Sequence, residues 1–328
     1  MCLDGVMDMR KDMSARNQTF DIARAICMLW IVGVWHMWSE YIGRPLTDGP
    51  LGDCITGGVL ATFFFISGRL SGRGAVRGFQ DALRYWKRRF AAFYPLFALS
   101  AATLYLLRYI ASKRRLALSL LCLSSFFPPM PPTIWFAEIV QLFYLFTPVL
   151  LCSLSKRGKW MLTAAVWTAL LAERILIGRF DTRLSGYFLI YAAGILMDSK
   201  TYRMLVNGKS FCLCLALFLA MTFSPVNIPI LGFLVGSYAF VFMLLSLSAF
   251  LGKSRLIAGL SYEIALSSMC AFLFHRQVFE LLKRWVGVFS LPFAYLVALP
   301  LLLILSLGMQ KTYSIWVKEP LLEALRVK

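Results

Sequence analysis

The chain has 328 residues, 59% of them hydrophobic and 15% charged, with a mean hydropathy of +0.71. Soluble domains are roughly 45–50% apolar and about 25% charged, so a soluble globular protein is excluded. The formal net charge of +18 invites a nucleic-acid partner, but the basic residues fall between apolar runs, as Lys/Arg-rich cytosolic loops of membrane proteins do.

Taken in chain order, residues 1–15 carry Asp4, Asp8, Arg10, Lys11 and Asp12. No short apolar core with a cleavage site follows them, so the first apolar run is expected to stay as a helix. Apolar runs of near-membrane length then predict ten spanning helices, at about 20–40, 54–71, 88–107, 133–154, 160–178, 184–198, 210–224, 229–251, 256–277 and 289–312. The stretch 115–127 is apolar but short, and it runs into a Pro-rich segment ending at Pro132. Proline removes helix hydrogen bonds, so this stretch is predicted to be re-entrant or interfacial.

Charge placement orients the spans. With the N-terminus inside, segments 10–24, 69–89, 156–159, 200–209, 253–255 and 311–328 face the cytosol and hold most of the 34 Lys and Arg. The exception is Arg108, Lys113, Arg114 and Arg115, which this topology puts outside. The eight cysteines are scattered through apolar runs and read as small buried hydrophobes without a disulfide framework. Cys212 and Cys214 have no histidines nearby, so no metal site is expected. There is no linker, repeat or low-complexity tract. The expected fold is an all-α, polytopic membrane helical bundle, a single domain over 1–328 with both termini in the cytosol.

The chemistry-bearing residues begin with Asp21, Arg24 and His36. Arg24 opens the first apolar helix, eleven uncharged residues follow, and His36 ends the run. Its imidazole is twelve residues beyond Arg24, or about 18 Å along an α-helix. An ionisable group at membrane depth is costly, so it marks function by default. The alternative is a helix-end histidine satisfied by a backbone carbonyl. A neutral imidazole can act as general base toward a hydroxyl. Asp21 suits an N-cap. Arg84, Lys87, Arg88 and Arg89 open the third helix. They read either as positive-inside anchors or as phosphate ligands, for which arginine has bidentate geometry. Glu138 is a carboxylate in an otherwise apolar helix, able to orient an imidazole or pair with an arginine. His275 and Arg276 stand near the outer end of the ninth helix, as acceptor contacts or interfacial anchors.

Asp21-x-x-Arg24 followed by an apolar helix ending in His36 resembles the opening of the acyltransferase-3 family of integral-membrane acyltransferases. Four further stretches resemble that family in order: Phe63-Phe64-Phe65-Ile66-Ser67-Gly68; Lys87-Arg88-Arg89 with Tyr94-Pro95; Trp135-Phe136 with Phe143-Tyr144 and Pro148; and Ser268 with Phe272-Leu273-Phe274-His275. The chain also departs from the pattern. Eleven residues separate Arg24 from His36 where ten are usual, which turns the histidine by about 100° on a regular helix unless a π-bulge absorbs the extra residue. Glu138 stands two positions before the usual fourth-helix glutamate, which falls on Val140. Ala92, Arg69, Met269 and Phe272 replace an arginine, a phenylalanine and two tyrosines. These departures mark a divergent branch.

The resemblance implies an inner-membrane enzyme that moves an acyl group, most simply acetyl, from cytosolic acyl-CoA to a carbohydrate hydroxyl on a surface polysaccharide or lipid-linked glycan. His36, Arg24 and Glu138 would then be catalytic, Arg84, Lys87, Arg88 and Arg89 would bind the donor, and His275 and Arg276 the acceptor. The competing class is a transporter of a lipid-linked sugar, which would be expected to show internal repeats with broken helices. Tags at both termini should report the cytosol and a tag within 41–53 the outside. Termini on opposite faces would remove the ten-helix arrangement.

Overall fold

A computed structural model describes residues 17–43, 49–72, 74, 76–224 and 229–325. The charged segment 1–15, with Cys2, lies outside the described residues. Among those described there are helices and no strand. In order they are α1 (Gln18–Leu29, continued by a π-helical segment Trp30–Ile42), α2 (Pro50–Ser71), α3 (Phe79–Leu106), α4 (Lys113–Leu120), α5 (Trp135–Leu151) and α6 (Lys156–Leu176). Then come α7 (Thr182–Leu196), α8 (Ser199–Leu205), α9 (Gly208–Phe223), α10 (Pro229–Leu251), α11 (Arg255–Val286) and α12 (Leu291–Ala324).

A helix stands at each of the ten expected positions, but ten full spans do not follow. Six helices are long and apolar enough to cross a membrane: Gln18–Ile42, Pro50–Ser71, Phe79–Leu106, Ile230–Leu251, Arg255–Val286 and Leu291–Ala324. The pair α8 and α9, bent by 70°, would make a seventh. The 21-residue α6 falls short through its charged ends, Lys156, Arg157 and Lys159 at one and Glu173 and Arg174 at the other, whereas for α5 and α7 the shortfall has a geometric reason. A bilayer core about 30 Å thick needs roughly 20 helical residues, whereas α5 has 17 and α7 has 15. Eleven of the fifteen α7 residues are buried. Wrapped by protein, α7 is apolar because of its neighbours.

The first helix departs from the expected pattern at both ends. Its cap is Asn17, whose side chain accepts from Thr19 N at 3.1 Å. Asp21 is buried in the first turn instead of capping it. From Trp30 onward the helix widens to i→i+5 bonding, shown at its end by Gly43 N–H donating to Trp38 O. Gly43 adopts φ +71, the left-handed turn that ends a helix and that glycine takes without steric cost. The whole π segment replaces the single bulge expected between Arg24 and His36. The 115–127 stretch contains only the eight-residue α4 followed by turns, so it is not a span.

The core is held at two places. α2 and α7 meet backbone to backbone: a Cβ on Gly68 would lie 2.1 Å from Tyr191 O, and one on Gly194 would lie 2.2 Å from Phe65 O. Small residues permit such approach where no hydrophobic force drives helices together. In the Phe63–Gly68 motif it is Gly68 that makes this close approach. The second place is α1 against α11, which run in the same direction because Arg24 meets Ser268 and His36 meets His275. α12 leans across the first half of α3, where Tyr313 donates to Ala91 O and Lys87 Nζ to Leu325 O.

Gly68→Ala should destabilise the bundle by about 1–3 kcal/mol, the usual cost of overpacking. Gly308, whose Cβ would meet nothing within 4 Å, should accept Ala without loss. Thermal unfolding in detergent, with the yield of folded protein, distinguishes the two.

Candidate active site

The His36–His275 end of the α1–α11 pair gathers six polar side chains, His36, Glu40, Thr133, His275, Arg276 and Lys283. His36 Nδ1 lies 2.8 Å from Glu40 Oε1, one turn further along the π segment. A carboxylate accepts only, so the imidazole proton is held on Nδ1 and the lone pair is on Nε2. The His36 side chain is 16% exposed. Arg276 Nη2 donates to the same Glu40 oxygen, and its Nε donates to Thr133 Oγ1 at 2.8 Å. The guanidinium also lies 4.9 Å from the centre of the Tyr109 ring. Lys283 Nζ donates to the Glu40 carbonyl at 3.3 Å.

Thr133 is held at φ +70, an uncommon conformation for a β-branched residue. Such strain costs roughly 1–3 kcal/mol, and here it places a hydroxyl against Arg276 just before α5. His275 is fully buried, with its ring centroid 4.8 Å from that of His36. Its Nδ1 lies 2.8 Å from Phe272 O, so this nitrogen carries the proton. Its Nε2 is buried and has no hydrogen-bond partner among the described residues.

At the other end of the pair, Arg24 Nη2 donates to Ser268 Oγ at 2.9 Å. These two residues line a cavity of about 380 Å³. Ser67, Arg89, Tyr144, Gln310 and Lys318 supply the rest of its polar wall, and phenylalanines and aliphatic residues the remainder. A second cavity of about 500 Å³ adjoins it, sharing Leu70, Arg89, Ala92 and Lys318 and adding Arg84 and Arg88. Arg89 spans both, donating to Ser71 Oγ at 3.0 Å and lying over the rings of Tyr85 and Tyr144. The two spaces form a basic vestibule leading into an apolar chamber.

The expected site residues therefore separate. His36, His275 and Arg276 come together. Arg24 joins the chamber rather than the histidines. Arg84, Arg88 and Arg89 line the vestibule, with Arg84 offset by Asp81 at 2.6 Å. Lys87 lines neither space and is taken up by the Leu325 carbonyl. Glu138 meets neither an imidazole nor an arginine. Its oxygens accept from Ser124 N at 2.6 Å and Ser119 Oγ at 3.3 Å, pinning the turn after α4. The carboxylate beside the imidazole is Glu40, four residues from His36. That spacing puts side chains on one helical face and was legible in the sequence. Thr133 and Lys318 had no such local signal. Among the described residues no cluster of three or more His, Cys, Asp or Glu could hold a metal ion, and the seven cysteines are free.

Residues 17–309 match the acyltransferase-3 family, described as an acyltransferase domain. Comparison with curated proteins finds no match, and neither does comparison with solved structures.

Glu40→Ala should strip Arg276 of its counter-charge. The expected loss is about 1–3 kcal/mol, the cost of an unsatisfied buried polar group. Combining it with Arg276→Met should recover part of that loss in thermal unfolding, because no charge is then left unpaired. Full additivity of the two changes would show that the pair is not coupled.

Proposed function

Because the chain belongs to the acyltransferase-3 family of membrane acyltransferases, we propose that it transfers an acyl group, most simply acetyl, from cytosolic acyl-CoA to a hydroxyl of a surface polysaccharide or lipid-linked glycan. The observation that carries this reading is the His36–Glu40 pair, an imidazole whose proton is fixed on one nitrogen so that the other is a base.

The vestibule suits the donor's phosphates. Arg88 and Arg89 offer bidentate donors and Lys318 a third charge. The pantetheine arm would enter the chamber, where Ser67, Ser268, Tyr144 and Gln310 can meet its amides and the apolar wall its carbon chain. This orientation puts the vestibule on the cytosolic side and the histidines toward the outer face. His36 Nε2 takes the proton as the acceptor oxygen attacks the thioester carbonyl. The new C–O bond forms, the C–S bond breaks, and the proton passes to the leaving thiolate, giving free CoA thiol. Glu40 keeps the proton on Nδ1 and stabilises the imidazolium while it exists. Arg276 holds Glu40 in place, and His275 packs against the imidazole.

General-base catalysis contributes typically about 10²–10⁴-fold. His36→Ala and His36→Gln should therefore abolish detectable acylation of the cell's surface glycan at unchanged protein level, since an amide cannot take the proton. His275→Ala should be milder. Normal acylation in His36→Ala would overturn the mechanism. On the donor side, Arg88→Gln should weaken acyl-CoA use about tenfold or more, because a charge-assisted contact is worth roughly 1.5–3 kcal/mol. Unchanged donor affinity would reduce Arg88 to a topology anchor.

A further inference from the structure

The apolar chamber closes on three aromatic rings. Phe63 from α2, Phe136 from α5 and Phe272 from α11 line it. Their centroids are 5.7 Å apart for Phe63–Phe136, 6.5 Å for Phe63–Phe272 and 5.2 Å for Phe136–Phe272. Phe136 and Phe272 are buried, whereas Phe63 is half-buried in the protein interior, open to the chamber. Beyond the rings stands the histidine pair: Phe272 is 6.1 Å from His275, which is 4.8 Å from His36. Neither histidine lines the chamber. The rings are a wall between the arginines and the base.

We propose that Phe63, Phe136 and Phe272 are the acyl-selecting wall of this enzyme, admitting a short unsubstituted acyl group and excluding longer or charged ones. The inference rests on the acyl-CoA reading above. A thioester entering from the Arg24 end must bring its carbonyl carbon to the boundary with His36, because the base has to reach the attacking hydroxyl within hydrogen-bonding distance. The acyl tail then lies among the three rings. Protein interiors are close-packed, so each added methylene must displace a ring. One methylene in an apolar pocket is worth about 10–200-fold in discrimination. A terminal carboxylate, as in a succinyl group, would meet only ring faces and edges there, with no partner for its charge. The chamber's arginines lie at its opposite end.

The experiment uses membranes of the native cell carrying the full chain or its variants in place of the chromosomal protein. Transfer of label from acetyl-, butyryl-, hexanoyl- and succinyl-CoA to the endogenous acceptor is measured per folded protein. The wild type should prefer acetyl over butyryl by tenfold or more and reject succinyl. Phe63→Ala and Phe272→Leu should each cut the acetyl-to-butyryl ratio about tenfold, with hexanoyl transfer becoming detectable. Phe63→Trp should raise the ratio. Phe65→Leu is the control: its ring packs on Phe242 at 5.4 Å, outside the chamber, and the ratio should stay at the wild-type value. Phe63→Leu replaces Phe63→Ala if the latter is not recovered folded. Unchanged ratios in folded Phe63 and Phe272 variants would overturn the wall while leaving acyl transfer standing. A wild type that uses no acyl-CoA would remove the donor reading and the wall with it.

Discussion

Arg276 is buried and Arg24, His36 and Glu40 are partly buried in an apolar bundle, which is tolerable because α1 and α11 lie side by side. Ser268, Phe272, His275 and Phe279 recur at helical spacing, so they form one stripe of α11. That stripe gives Arg24 its hydroxyl at one end and His36 its ring contact at the other. Seven residues of α11 rise only about 10 Å between these contacts, against twelve residues of α1. The flexible reach of the Arg24 side chain closes the difference. Remove the parallel pairing and Arg24 would lose the Ser268 hydroxyl, His36 the His275 ring and Glu40 its Arg276 counter-charge, and desolvated polar groups that lose partners are costly.

The π segment is the second consequence of that pairing. A widened helix is less stable than an α-helix and is commonest at functional sites. Here it is braced from outside by α12. The Tyr295 hydroxyl donates to the Gly33 carbonyl at 2.8 Å, and Trp38 Nε1 donates to Tyr295. Trp30 Nε1 donates to Thr56 on α2 at 3.0 Å. Neighbours thus hold the segment in the phase that aims His36 and Glu40 at α11. Strain at Thr133 serves the same end, since the hydroxyl it offers fixes Arg276 and Arg276 in turn fixes Glu40.

The polar groups of the candidate site lie in two places with three aromatic rings between them. The vestibule and chamber concentrate positive charge, while the histidine end balances its arginine with Glu40. Such a division suits the reaction proposed above, with a phosphate-bearing donor at the basic end. A salt bridge of this kind adds little net stability compared with well-packed apolar side chains. Its value lies in fixing an orientation and a tautomer.

The sequence by itself determined the all-α membrane character, the places of the helices and the five ordered motifs, and it singled out both histidines as candidates. Composition, apolar run length and residue type decide these locally. The extra residue between Arg24 and His36 was also legible, as a demand for a π distortion. Only the tertiary structure decided which helices are short because protein covers them, as with α7. It also turned Glu138 to a loop, gave Lys87 to a C-terminal carbonyl, and brought Thr133, Lys318 and three phenylalanines from distant segments to the site. Local sequence specifies the face on which a side chain stands. What it meets there depends on how the helices are staggered and packed, and that is set by contacts between residues far apart in the chain.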